Sequence, residues 1–256
     1  MSDAERHDQK RMTLGEHLDE LRKRLFYALG GLAAAMVLSI AMGRPILHLL
    51  QRPYELVMRE YAMDDRLAVL STTAGIGVYF RVALIAGVIL SCPWIFYQLW
   101  MFISAGLYPH ERRYVTAAVP ASATLFVAGA AFYLFVMAVP MLRFLIGFGN
   151  WLGVKPVIAL DEHIHLMTMM MLVCGLAFQT PLAVLILAKM GLVTLATLNR
   201  YRRHVIVAIL IIAAVATPSP SPLDQIVLAV PIWLLYELGV LLVYLLVHRK
   251  EKLPGG

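Results

Sequence analysis

Long apolar stretches alternate with short polar segments over most of this chain of 256 residues. A helix needs about 20 mostly apolar residues to cross the ~30 Å hydrocarbon core of a bilayer. The pattern therefore predicts an all-α integral membrane protein with six transmembrane helices. The apolar runs lie near 25–43, 75–103, 114–145, 164–189, 204–217 and 223–247.

The fifth and sixth of these runs are predicted to form short helices. The fifth is apolar only from Val205 to Ala216, and the sequence Thr-Pro-Ser-Pro-Ser-Pro at 217–222 follows it directly. Because proline cannot continue a helix, these residues predict a tight turn with little polar chain. We expect a hairpin that stops short of the full bilayer depth.

Composition agrees with a membrane protein and excludes some partners. Hydrophobic residues make up 61% of the chain and charged residues 15%, which is too little polar surface to cover a soluble protein of this size. The net charge of +6 does not indicate nucleic acid, because the basic residues lie in the short segments between apolar runs. Most of the 22 lysines and arginines fall on one side of the predicted topology, which places both termini in the cytoplasm.

The chain is predicted to form one polytopic membrane domain over 1–256, since it shows neither an internal repeat nor a separate soluble region. No cleavage pattern follows the first apolar run, so we expect the first helix to be retained. The predicted parts are a cytoplasmic amphipathic N-terminus at 1–24, the six-helix region at 25–247 and a cytoplasmic tail at 248–256.

The first outer loop, 44–74, is long and mixed in charge. It is predicted to contain an amphipathic surface helix that begins at Arg52 and Pro53 and caps the outer side. One face of this helix is predicted to present Leu56, Val57 and Tyr61.

Two polar segments place a carboxylate among basic residues at the inner membrane face. Glu20 lies just before the first apolar run, and Glu111 lies between the second and third. A carboxylate near low-dielectric material attracts a guanidinium strongly, and a bidentate arginine pair also fixes orientation. The alternative is that both acids pair with their own neighbours, such as Arg24 and Arg112, as solvated charges. The spacing leaves both interpretations open.

Enzyme and metal chemistry find little support in the sequence. Cys92 and Cys174 each lie alone in an apolar run, and His163-x-His165 lacks a third ligand at helical spacing. No serine stands in a nucleophile elbow. We therefore expect no enzymatic activity, no cofactor and no metal. A small-solute secondary transporter is the alternative class, although it would be expected to bury paired ionisable groups near the midplane.

Several motifs in a fixed order resemble the TatC family, the receptor subunit of the twin-arginine protein translocase. The resemblance runs from about Met12 to about Val247. The motifs are His17-Leu18-x-Glu20-Leu21-Arg22-x-Arg24-Leu25, Pro93 with Gln98-x-Trp100-x-Phe102, Leu107-Tyr108-x-His110-Glu111-Arg112-Arg113, and Thr217-Pro-Ser-Pro.

The resemblance implies a concave, glove-like receptor of six helices in the bacterial inner membrane. Such a receptor binds the twin-arginine signal peptides of folded precursors and assembles with other copies of itself and with single-span subunits of the TatA and TatB types. Export is then driven by the proton-motive force.

The resemblance also assigns roles to residues of this chain. Glu20 and Glu111 would contact the paired arginines of the signal peptide, with Arg22 and Phe102 in the same cytoplasmic surface. Thr217 and Gln225 would belong to the patch where a partner helix docks. Bends at Pro53 and Pro93 would shape the outer cap and the concave wall, respectively.

Two positions depart from the family pattern. Gln179 stands where many members have a glutamate, so a charge-dependent role there is in doubt, whereas a hydrogen bond between helices is not. Ser221 stands where an aspartate is usual, and whether Ser221 or Asp224 takes its role stays open. Glu237, inside the last apolar run, has two open interpretations, a functional site or a hydrogen bond between helices.

Overall fold

The computed structural model describes residues 14–106, 112–154, 157–216 and 222–248. These ranges are almost entirely helical. Two π-helical turns occur, at Tyr133–Met137 between α4 and α5 and at Tyr244–His248 after α9. The α-helices are α1 (Leu14–Ala41), α2 (Gly43–Glu60), α3 (Ala74–Ala105), α4 (Arg112–Phe132), α5 (Ala138–Trp151), α6 (Leu160–Ala177), α7 (Thr180–Lys189), α8 (Leu195–Ala216) and α9 (Pro222–Val243).

Five helical stretches among the described residues are long and apolar enough to cross a membrane. They correspond to five of the six predicted spans. The remaining span lies in α8, whose apolar part from Val205 to Ala216 covers only about 18 Å at ~1.5 Å per residue. The five stretches are Gly15–Ala41, Ala74–Ala105, Val115–Trp151, Leu160–Lys189 and Gln225–Val247.

The prediction of a short sixth helix is wrong. Helix α9 has 22 residues and continues through the π-helical turn at Tyr244–His248. Its apolar stretch, Gln225–Val247, is long enough for a full crossing. The proline-rich segment restricts only the start of this helix, because proline is well tolerated in the first turn, where its missing N–H has no intrahelical partner anyway.

The helix of the first outer loop begins earlier than predicted. Only Met42 separates α1 from α2, so α2 begins at Gly43 instead of Arg52. Its buried face contains Tyr54, Val57 and Met58, while Leu56 is 55% exposed and does not belong to it. Pro53 is buried inside the helix.

Helix α6 forms the centre of the main core. Ile164, Met167 and Met170 have no exposed surface, and they pack in the cluster that contains Tyr54 of α2 and Tyr133 of the first π-helical turn. The α6 helix is thereby surrounded by α2, α3, α4 and the turn after α4. The core fixes these elements with respect to one another.

Helix α1 packs on the edge of this core, almost entirely against α3. The contact depends on Gly31, because a Cβ atom there would clash with the edge of the Trp94 indole ring. The Trp94 Nε1–H group donates to the carbonyl of Tyr27 at 2.9 Å. This packing brings the N-terminal part of α1 beside the C-terminal part of α3, which we call the Glu20 end of the bundle.

At the opposite end, which we call the Glu60 end, the loops are joined by polar contacts. The Arg143 guanidinium donates to both carboxylate oxygens of Glu60, at 2.9 and 2.8 Å. A short backbone bridge pairs Ala68 with Ala159, in which Leu160 N–H donates to the Ala68 carbonyl at 2.8 Å. These contacts attach α2 and the following loop to α5 and α6.

Candidate functional site

Glu20 forms a three-residue polar cluster with Arg24 and Gln98 at the Glu20 end. Arg24 Nε–H donates to Glu20 Oε1 at 2.6 Å, and Arg24 Nη1–H donates to Gln98 Oε1 at 3.1 Å. The Arg24 and Glu20 side chains are 21% and 20% exposed, whereas Gln98 is 2% exposed. Positions 20 and 24 share one helix face, and Arg24 connects this face to α3 through Gln98. The ion pair with a neighbour, which the sequence left open, is therefore present.

Phe102 lies one turn beyond Gln98 on α3 and stacks on His17 of α1. The ring centroids are 4.6 Å apart and the planes are inclined by 30°. The stack and the Glu20 cluster both join α1 to α3. On α3, Gln98 and Phe102 are four residues apart, and on α1, His17 and Glu20 are three residues apart. Glu20 and Phe102 thus belong to one surface, and one face of the Phe102 ring is covered by His17.

Arg22 does not lie on this surface. It is two residues from Glu20, a rotation of about 200° around the helix axis, and its guanidinium carbon lies 5.9 Å from the centroid of the Phe26 ring. Phe26 is 63% exposed. Arg22 therefore occupies a different face of α1, where it is exposed.

Glu111, the second predicted carboxylate, lies outside the described residues, as do Thr217 and Ser221. Gln225 is half-buried in the first turn of the described part of α9. Beside it, an apolar groove between α8 and α9 is lined by residues that include Ile209, Ile226 and Trp233.

A second polar cluster joins α3, α4 and the break between α6 and α7. Ser122 Oγ accepts a hydrogen bond from Trp100 Nε1–H at 2.8 Å, and the Ser122 carbonyl accepts one from Gln179 Nε2–H at 2.9 Å. Gln179 lies where α6 ends and α7 begins, two residues before Pro181. Gln179 therefore forms the hydrogen bond between helices that its amide group allows.

Glu237 of α9 pairs with Arg202 of α8, whose Nη2–H donates to Glu237 Oε2 at 2.8 Å. The adjacent Tyr236 hydroxyl donates to the carbonyl of Leu198 at 3.0 Å. Glu237 Oε1 is buried without a hydrogen-bond partner among the described residues. Both contacts hold α8 against α9, which favours the structural interpretation of Glu237.

The two prolines occupy different surroundings. Pro53 is buried in α2, one residue from Tyr54, whose ring packs near His163 of α6 with centroids 5.3 Å apart. His163 Nε2–H also donates to the carbonyl of Leu50 at 3.1 Å. Pro93 is exposed in α3, beside Trp94.

The sequence did not reveal that Gln98 and His17 take part in the site. Both residues stand in the quoted motifs, but their partners, Arg24 and Phe102, lie on another helix. A signal was available in the i, i+4 spacing of Glu20 and Arg24 and in the position of Gln98 one turn before Phe102.

Residues 16–231 match the family described as Sec-independent protein translocase protein (TatC). The chain belongs to the TatC family. It is 33% identical to the TatC protein of Koribacter versatilis (strain Ellin345), over 95% of this chain and 89% of that relative. It is 32% identical to TatCy of Bacillus subtilis (strain 168), over 94% of this chain and 92% of that relative.

The fold is shared with a solved structure, the crystal structure of the twin-arginine translocase receptor TatC. The TM-score is 0.80 and the identity 31%, covering 90% of this chain and 99% of that chain. These similarities confirm the predicted family and the all-α membrane class. TatC proteins are components of a protein translocase and are not enzymes. Membership of this family replaces the alternative prediction of a small-solute transporter with that of a protein translocase subunit.

Proposed function

We propose that this protein is the core receptor of a twin-arginine translocase, and that its Glu20 end binds the twin-arginine signal peptides of folded precursors. The observation that carries the proposal is the position of Glu20. Arg24, which also contacts Gln98 of α3, holds the Glu20 carboxylate at 20% exposure on the same side of α1 as the His17–Phe102 stack.

The chemistry of this surface suits a guanidinium ligand. A partly buried carboxylate accepts charge-assisted hydrogen bonds that are shorter and stronger than neutral ones. Arg24 already demonstrates the geometry, because its Nε–H lies 2.6 Å from Glu20 Oε1. In this proposal Glu20 receives one arginine of the pair and Glu111 the other. Arg22, on a different and exposed face of α1, contacts another part of the peptide.

The proposed setting is a bacterial inner membrane with both termini in the cytoplasm. The distribution of lysine and arginine along the sequence supports this orientation. It places the Glu20 end in the cytoplasm, where precursors are made, and the Glu60 end outside. The six-span, glove-like arrangement is part of the same proposal.

The proposed partners are single-span subunits of the TatA and TatB types and other copies of this chain. The groove between α8 and α9 supports a helix-docking site, because it is apolar and lies beside Gln225. A polar side chain at such an interface forms hydrogen bonds across helices in lipid. We assign Gln225 and Thr217 to this site, with transport of the precursor driven by the proton-motive force.

Site-specific photo-cross-linking tests the receptor proposal while leaving Glu20 intact. A photoreactive residue replaces Leu21, next to Glu20, or Gly106, just beyond α3 and near His17. The matched control replaces Leu56, which is 55% exposed at the Glu60 end. Each variant is mixed with a folded precursor that carries either paired arginines or paired lysines.

Cross-links from positions 21 and 106 should form with paired arginines and fall sharply with paired lysines, and position 56 should give none. Equal labelling by both precursors at positions 21 and 106 would contradict the proposal. So would labelling at position 56 as strong as at those two positions.

A further inference from the structure

We infer that Arg24 is an internal substitute for the peptide arginine, and that it must leave Glu20 before the signal peptide binds. This inference rests on the proposed function of Glu20. The structure shows Glu20 already occupied by a guanidinium of its own chain, with 2.6 Å between Arg24 Nε and Glu20 Oε1. The contact is therefore autoinhibitory.

Gln98 holds Arg24 in this position. Its Oε1 accepts from Arg24 Nη1–H at 3.1 Å, and the amide is 2% exposed, so it is fixed in the core of the α1–α3 contact. Gln98 thus orients the guanidinium toward Glu20.

The Arg24–Glu20 contact should raise the apparent Kd of the signal peptide, because it reduces the fraction of molecules whose Glu20 carboxylate is available. When the binding-competent state is only a fraction of the molecules, the apparent Kd equals the intrinsic Kd divided by that fraction. Weakening the Arg24–Glu20 contact raises the fraction of molecules with an available carboxylate. Peptide affinity should therefore increase, whereas loss of a residue that merely supports the site would decrease it.

Charge-preserving variants separate this contact from the general electrostatic field. Arg24→Lys keeps the positive charge. It replaces the planar guanidinium, which donates to Glu20 and Gln98 at the same time, by a single ammonium group. Gln98→Met removes the amide acceptor without a change of charge or a large change of volume. The control is Lys23→Gln, which removes a positive charge from the adjacent exposed position.

The experiment measures the Kd of a fluorescent twin-arginine signal peptide for the full-length protein in lipid nanodiscs. Arg24→Lys should lower Kd about two- to fivefold, which lies within the contribution of a partly exposed ion pair. Gln98→Met should lower it in the same direction by a smaller factor. Lys23→Gln should change it by less than about twofold.

An equal or higher Kd for Arg24→Lys in the folded protein would overturn the inference. If that variant does not fold, Gln98→Met decides, and an unchanged or higher Kd overturns it. A Lys23→Gln variant that tightens binding as much as Arg24→Lys would also overturn it, since a change at a neighbouring residue that does not contact Glu20 would then have the same effect as weakening the Arg24–Glu20 contact. Failure of the proposed function looks different, because the wild-type protein would not bind the peptide at all.

Discussion

A close backbone contact between α4 and α6 predicts that alanine substitution has opposite effects on stability at two glycines, Gly129 and Gly30. A Cβ atom at Gly129 would lie 2.6 Å from the carbonyl oxygen of Cys174 and 2.9 Å from the Cα atom of Gly175. Both are backbone atoms, so they cannot move aside as a flexible side chain does. An ordinary contact needs about 3.4 Å, and Gly129→Ala therefore requires the helices to separate by about 0.8 Å.

Overpacking of this kind costs about 1–3 kcal/mol, and the better helix propensity of alanine offsets about 1 kcal/mol of it. Because both clashing atoms belong to the backbone, we expect the upper part of that range, about 2–3 kcal/mol, which leaves a net loss of about 1–2 kcal/mol, or about 2–8 °C in Tm. Gly30→Ala is the matched control, because no atom lies within 4 Å of its Cβ position. It should gain up to about 1 kcal/mol from propensity alone.

Thermal unfolding of the purified protein in detergent, followed by circular dichroism, measures both changes. Gly30→Ala should have the highest Tm, the wild type an intermediate one and Gly129→Ala the lowest. A Gly129→Ala variant as stable as the wild type would refute the close packing of α4 on α6.

The hydrogen bond from Gln179 to the Ser122 carbonyl predicts that Gln179→Leu lowers the free energy of unfolding by about 1 kcal/mol. Gln179→Glu should be less stable than the wild type near neutral pH and should recover stability in acid, because only a protonated carboxyl can donate this hydrogen bond. Detergent unfolding at two pH values checks this, and a Gln179→Glu variant without pH dependence would contradict it. At the Glu60 end, the Arg143 guanidinium lowers the pKa of Glu60. Because the folded pKa lies below the unfolded one, this contribution is present at neutral pH and lost as pH falls. Glu60→Gln should therefore reduce the acid sensitivity of Tm, and an unchanged acid sensitivity would count against the pair.

Apolar length predicted the helices well because lipid is the solvent for most of their surface. The runs at 75–103 and 164–189 correspond closely to Ala74–Ala105 and Leu160–Lys189. Hydrophobicity alone did not show where these stretches change direction. The break at Phe178 and Gln179 precedes Pro181, and it was within reach of the sequence, since helices usually end before a proline.

Helix starts were predicted less well because polar residues form helix outside the hydrocarbon layer. α8 begins at Leu195, before the predicted start at 204, whereas α1 begins at Leu14 because the predicted amphipathic N-terminus continues as a helix into the apolar run at 25. In both cases the added turns carry charged residues on exposed faces. In α1, the i, i+4 charge pair of Glu20 with Arg24 is the available signal.

The site was predictable by residue type but not by pairing. Glu20 and Phe102 stand in recognisable motifs, yet their contacts with Arg24, Gln98 and His17 depend on how α1 packs on α3. Arg24 and Gln98 are 74 residues apart in sequence. A single sequence does not show which residues so far apart are in contact, so only the fold shows that Gln98 holds Arg24 beside Glu20.

The central claim is that Glu20 receives an arginine of the signal peptide, and peptide affinity in nanodiscs tests it most directly. The series compares wild type, Glu20→Gln and Glu20→Lys, with Glu60→Lys as a charge-matched control at the opposite end. We predict that Glu20→Gln raises Kd about tenfold, that Glu20→Lys raises it further, and that Glu60→Lys leaves it nearly unchanged. A Glu20→Lys protein that is folded and binds the twin-arginine peptide as tightly as the wild type would contradict the account.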